Sequence, residues 1–294
     1  MNFTIGDFSV AMLCGPLLAV AAALSPTGVR ADEPAAERPA ELVPEERRIF
    51  SGAFSWDFRS AYLTVSGSLC DTEPITTQCL DYRFDFGEWG YISGYAWTIS
   101  NLTSLNCENH RMAFNEFEGV VSYGYLWTIA DYLALDSQLG ILWNPQIGYP
   151  DDSWEYRGIR WLETFKTDYV NVGFNALHMI APNESLRVVV VFDRTWSWGD
   201  FSLTPSFQAV WSDGRRYKAK FVNDPVHGLF GGAFATITLG LKATYRINDH
   251  LSLFASIQEY VVVDPQARDR VESTDLYYSQ VDQTVGTVGF RIPF

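Results

Sequence analysis

From about Gly52 to the last residue, apolar and polar side chains alternate with a period of two, and nothing else in this chain restricts its fold as much. The clearest stretch is residues 233–247, AFATITLGLKATYRI. Ala235, Ile237, Leu239, Leu241, Ala243 and Tyr245 share one face; Thr236, Thr238, Gly240, Lys242, Thr244 and Arg246 share the other. Successive side chains of a strand point to opposite sides of its sheet, so one side is oily and the other wet. The same pattern recurs in 79–86, where Leu80, Tyr82, Phe84 and Phe86 alternate with Asp81, Arg83 and Asp85. In 201–212, Phe201, Leu203, Phe207, Ala209 and Trp211 alternate with Ser202, Thr204, Ser206 and Gln208.

Turn signals divide the alternating region into strands near 52–66, 79–87, 90–99, 114–127, 131–143, 156–166, 168–180, 186–196, 200–212, 232–247, 250–263 and 280–294. The connections FGEW, TIAD, KTD, WSWGD and INDH are short. They alternate with connections near 67–78, 100–113, 144–155, 181–185, 213–231 and 264–279, most of them long and polar. Short turns at one end and long loops at the other, with an even strand count, are the pattern of a transmembrane antiparallel up-and-down β-barrel. A soluble sandwich or lipocalin-like barrel also alternates faces. Its strands are usually about 5–6 residues long, however, whereas a tilted membrane strand needs about 9–11. The charged residues also lie opposite the apolar face, and there are too many apolar residues for a wetted outside. The expectation is an all-β barrel of about twelve strands, oily outside and polar inside.

Composition agrees. The chain of 294 residues is 47% hydrophobic and 15% aromatic but only 19% charged. Trp127, Trp143, Trp196, Trp198 and Trp211 fall near strand ends, where aromatic girdles meet the membrane interface. The formal net charge is −14, which disfavours nucleic acid as a partner, since phosphate binding needs clustered Lys and Arg.

The N-terminal part reads differently. Residues 9–24, SVAMLCGPLLAVAAAL, have the length and apolarity of a signal-peptide core, and Val29-Arg30-Ala31 offers small residues for cleavage before Asp32. The segment before it departs from the usual signal, with Asp7 and no Lys or Arg. Residues 1–31 are expected to be a signal peptide, residues 32–50 a flexible periplasmic leader rich in Pro, Ala and Glu, and residues 51–294 the barrel. Cys70, Cys79 and Cys107 lack the spacing of a zinc site and are placed in or beside neighbouring loops; one disulfide, Cys70–Cys79, with one free thiol is the simplest expectation for an oxidising compartment.

The inward face is the candidate functional surface. Alternation assigns Asp81, Arg83, Asp85, Glu116, Glu118, Asp136, Arg160, Lys166, Lys242 and Arg246 to the pore lining. Asp57, Arg59, Gln138, Asn171, Asn175 and Gln258 join them. Opposed acidic and basic side chains can orient a small polar solute and set ion preference. The alternative is a closed lumen in which they satisfy one another. The acidic net charge favours cations weakly, although lumenal charge decides. No Gly-x-Ser-x-Gly, His-Glu-x-x-His, Walker or calcium-loop motif occurs, and no cofactor or metal is expected. Of His110, His178, His227 and His250, only His178 lies near the outer end of a strand, and Asn175 falls on the opposite face from it. Asp151 and Asp152 are adjacent in a loop, as solvated acids usually are. A third class, a barrel whose loops bind a partner, would use loops 100–113, 144–155 and 213–231.

The chain ends TVGTVGFRIPF, with Phe294, Ile292, Phe290 and Val288 on one face and Arg291 and Thr287 on the other. A terminal aromatic on an alternating strand resembles the signature of outer-membrane proteins read by the barrel-assembly machinery. The runs GYISGYAWTISNLTS, FEGVVSYGYLW and LALDSQLGILWNPQIGYPDD, within residues 80–170, resemble the TorF-type porins. The Cys-bearing loops depart from that pattern. The resemblance implies a Gram-negative outer-membrane barrel, in contact with lipid, that passes small solutes or ions.

Overall fold

The structure is a computed structural model that describes residues 49–63, 69–71, 74–101, 116–145, 155–181, 184–213, 233–265, 268–269 and 282–294. Twelve barrel strands account for most of these residues: β1 (Phe50–Arg59), β2 (Ile75–Asp85), β3 (Tyr91–Asn101), β4 (Glu116–Ala130), β5 (Leu133–Pro145), β6 (Glu155–Thr167), β7 (Asn171–Ala181), β8 (Ser185–Asp193), β9 (Phe201–Ser212), β10 (Ala233–Asn248), β11 (Leu251–Val262) and β12 (Asp282–Pro293). Each pairs antiparallel with its neighbours in sequence, and β1 pairs with β12 to close the cylinder. A short piece, Trp196–Trp198, continues β8 along β9. The expected all-β, twelve-stranded up-and-down barrel is therefore what forms.

The outward face is apolar and open: Ile141 is 69% exposed, Leu139 60%, Val288 57% and Trp161 56%. In water such a surface would drive association; in lipid it is the solvent-facing side. A cylinder has no free sheet edge, so the backbone donors and acceptors of adjoining strands are paired within the wall. This is the architecture of outer-membrane barrels.

Aromatic rings lie over glycines of the adjoining strand. A Cβ on Gly124 in β4 would collide with the ring of Tyr91 in β3, and one on Gly52 in β1 would lie 2.7 Å from Phe294 beyond β12. The second contact sits where the first and last strands meet. There Gly52 N–H donates to the Phe294 carbonyl at 3.1 Å, and Phe294 N–H donates to Gly52 at 3.0 Å.

Two expectations change. The first strand ends at Arg59, not at residue 66, because Ser60 diverts the ladder. Its N–H still reaches the Gly286 carbonyl at 2.9 Å, but the return bond from Gly286 N–H goes to the Ser60 hydroxyl at 2.9 Å. The second strand correspondingly starts at Ile75. Cys79 then lies inside the strand rather than at its start, opposite Ser55 on the inner face, and it carries a free thiol, so the expected Cys70–Cys79 disulfide is not formed. Cys107 lies outside the described residues.

Candidate functional site: the charged lumen

The inner face is set by register. Asp57 in β1 lies opposite Thr77 in β2, Asp81 opposite Tyr95 in β3, Trp97 opposite Glu118 in β4, and Lys242 in β10 opposite Ser256 in β11. All these point into the cylinder, away from the exposed apolar set.

Charges on this face gather into groups. On the wall formed by β1, β2 and β12, Arg59 grips Asp57 with two bonds, Nε to Oδ1 at 2.8 Å and Nη2 to Oδ2 at 3.1 Å. Arg291 approaches Asp81 to 2.9 Å; its N–H groups are not aimed at the oxygen, so this is an ion pair without a directed hydrogen bond. Nearer the short turns, Arg83 contacts Asp85 at 3.2 Å and lies 3.5 Å from the centre of the Tyr91 ring. Such stacking on an aromatic face suits the planar guanidinium.

A second group centres on Asp136 in β5. Its carboxylate accepts from the Tyr91 hydroxyl, from Lys166 Nζ at 2.8 Å and from Gln138 at 3.4 Å. Tyr91 reaches it by crossing β4 over Gly124, which explains why that position holds glycine. A third group centres on Glu118, which accepts from Tyr95 at 2.6 Å, Trp97 at 3.1 Å and Asn144 at 3.4 Å. Arg160 donates to the neutral Asn175 at 3.2 Å and lies 5.7 Å from the Tyr95 ring centre. The ammonium of Lys242 stands 4.5 Å from the ring centre of Phe254.

The lumen has two zones. Near the long-loop end the inward side chains are shut off from solvent: Ile75, Ile99, Val120, Leu142, Val189 and Val285 are all at most 4% exposed, and the polar Asp57, Asn144 and Arg187 are buried among them. Val120, Leu142, Leu177 and Met179 pack together with Tyr95 against them. Toward the short-turn end the charged side chains reach solvent, Lys166 at 47% and Arg291 at 49%. Asp136 and Tyr91 are the buried exceptions in this zone, each covering the other.

Among the predicted pore-lining residues, Asp81, Arg83, Asp85, Glu118, Asp136, Arg160, Lys166 and Lys242 thus occupy the inner face. Glu116 opens β4 in the inward register, and its side chain lies outside the described residues. Arg246 sits at the rim, where its guanidinium binds Asp200 of the adjacent turn at 2.9 Å. Tyr91, Tyr95, Arg187 and Asp193 join the lining, and alternation along their strands is the signal that marks all four as inward. Glu163, by contrast, faces outward, held by Ser137 at 2.5 Å and by Trp161 at 2.6 Å.

His178 also faces outward. Across its two ladders it meets Ile159 and Leu186, and Glu184 lies 3.4 Å from its Nε2. The loops holding His110, His227, Asp151 and Asp152 lie outside the described residues.

No protein-family model matches this chain, and no curated protein matches it. Among solved structures it is similar to the KdgM porin (10% identity, TM-score 0.45, covering 83% of this chain and 99% of that one). It is also similar to outer membrane phospholipase A from Escherichia coli (12% identity, TM-score 0.45, covering 82% and 92%). OmpT, an outer membrane protein of Vibrio cholerae, shares 8% identity at a TM-score of 0.40, covering 83% and 96%. At such identities and scores the likeness carries nothing about solute or activity.

Proposed function

We propose that the protein is a passive channel of the bacterial outer membrane, passing small hydrophilic solutes or ions through its charge-lined lumen. One observation carries this reading: inside a wall whose outside is oily, Asp81, Lys166, Lys242 and Arg291 still reach solvent. A barrel filled merely for stability gains nothing from hydrated interior charges, whereas a permeating solute needs them to replace its water. Residues 1–31 would direct export, 32–50 would form the leader, and Phe294 would serve recognition by the barrel-assembly machinery. No catalytic group is assigned, since apolar side chains flank His178 across both ladders.

The solvent-free zone near the loops favours a second reading, a barrel that does not conduct and works through its loops. Single-channel recording of the refolded protein in a planar bilayer separates the two. Discrete conductance steps, altered in ion preference by Arg83→Ala, support the channel. A protein that inserts and never conducts overturns it in favour of the loops.

A further inference from the structure

We infer that the lumen selects for anions, and that Lys242 is the point at which a carboxylate or phosphate group of the solute is held. The inference rests on the channel reading and names its solute class. It runs against the acidity of the whole chain, whose formal charge is −14.

The charges around the Lys242 ammonium are those of Arg291, Asp57, Arg59 and Asp81. Both acids in this set are already matched, Asp57 by Arg59 at 2.8 Å and Asp81 by Arg291 at 2.9 Å. Lys242 is the odd cation. It forms no ion pair among the described residues, and its ammonium lies 4.5 Å from the centre of the Phe254 ring. Across its two ladders stand Thr204 and Ser256, hydroxyl groups able to donate to an oxyanion. An ammonium without a carboxylate, inside a wall of low dielectric, leaves a positive potential that an incoming anion can satisfy.

On the opposite wall Arg160 likewise forms no ion pair among the described residues. Glu118 accepts from Tyr95, Trp97 and Asn144, all neutral donors, and Arg160 donates to the neutral Asn175. The counterweight is Asp193, near the short-turn end of β8, where Asn171 donates to it at 3.0 Å. A solute passing Asp193 would meet Arg160 on one wall and Lys242 on the other.

Two measurements test this. The first is the reversal potential across a bilayer with unequal potassium chloride on its two sides. Chloride permeability several-fold above that of potassium is expected, and Lys242→Glu should move the preference toward potassium, with Lys242→Arg retaining it. A wild-type protein that conducts and prefers potassium overturns the inference while leaving the channel reading intact. The second measurement does not need conduction: binding of a fluorescent pyrene trisulfonate to the micelle-folded barrel, with citrate as competitor. Citrate-sensitive binding weakened at least tenfold by both Lys242→Glu and Lys242→Met supports the anion site even in a barrel that never conducts. Binding that ignores Lys242, with both variants folded by heat-modifiable gel migration, overturns it.

Discussion

The Tyr91 hydroxyl, the Asp136 carboxylate and the Lys166 ammonium make the most consequential residue-scale contact in the lumen, because burying a carboxylate is tolerable only with donors on it. Lys166 is about half exposed and loses little itself when paired; Asp136 has more at stake. Lys166→Met should therefore cost roughly 1–3 kcal/mol, the range for a buried polar group left short of a partner, read as a shift in the urea midpoint of the micelle-folded barrel. An unchanged midpoint would mean that water already supplies the missing donor. The glycine beneath the Tyr91 ring makes a sharper case. Gly124→Val places branched carbon where the ring now lies, so the ring must leave Asp136 or the wall must shift. Overpacking of this kind costs about 1–3 kcal/mol. Tyr91→Ala in the Gly124→Val background should recover part of that loss; if it does not, the ring is not what excludes the side chain.

At the scale of a strand, β8 stops at Asp193 and resumes at Trp196 although its register on β9 does not slip: Asp193 lies opposite Ser206 and Trp196 opposite Leu203. The cause is Pro205. Its carbonyl accepts from Arg194 N–H at 3.3 Å, so its nitrogen also faces β8, but proline has no N–H to return the bond. Thr195 and Thr204 hydroxyls bridge the gap at 2.8 Å. Pro205→Val would restore one ladder bond, worth about 0.5–1.5 kcal/mol. Removing proline also frees the unfolded chain by about 0.4–1 kcal/mol in the opposite sense, so overall stability is a poor readout. Amide exchange should instead slow locally around residues 194–196 and 204–206, and unchanged exchange there would point to a cause other than the missing donor. Strands of this kind were legible from sequence because lipid and lumen impose opposite demands on successive residues; β5, β7 and β9 begin and end within three residues of where alternation puts them. The first strand was not, because residues 60–66 continue the alternation while Tyr62–Leu63 pair with Leu69–Asp71 instead of with the wall. Pattern also assigned faces without partners: it put Lys242 and Asp81 inside together, and only the fold showed that Asp81 belongs to Arg291.

At the scale of the whole barrel, twelve strands leave an interior that side chains can fill at one level and water at another. Here the fill lies toward the loops and the water toward the turns, with Lys166 and Arg291 in the wetter part and Asp57 and Arg187 buried in the fill. A dry zone lined by Val120, Leu142 and Leu177 is a barrier to a hydrated ion irrespective of its sign, since apolar constrictions gate by shedding water. Selectivity and conductance therefore belong to different zones and should respond to different substitutions. Leu142→Ser, and more so the pair Leu142→Ser and Leu177→Ser, should raise single-channel conductance or open probability by wetting the dry zone. Neither should reverse the ion preference set around Lys242. Each deletion of buried apolar bulk costs stability of about 2–5 kcal/mol when the residue becomes small, so folding must be confirmed before the current is interpreted. If the serine variants fold and conduct no better than the parent, the barrier to flow is not the Val120–Leu142–Leu177 layer. If they lose ion preference while gaining current, the two zones act as one filter and the separation of barrier from selector fails.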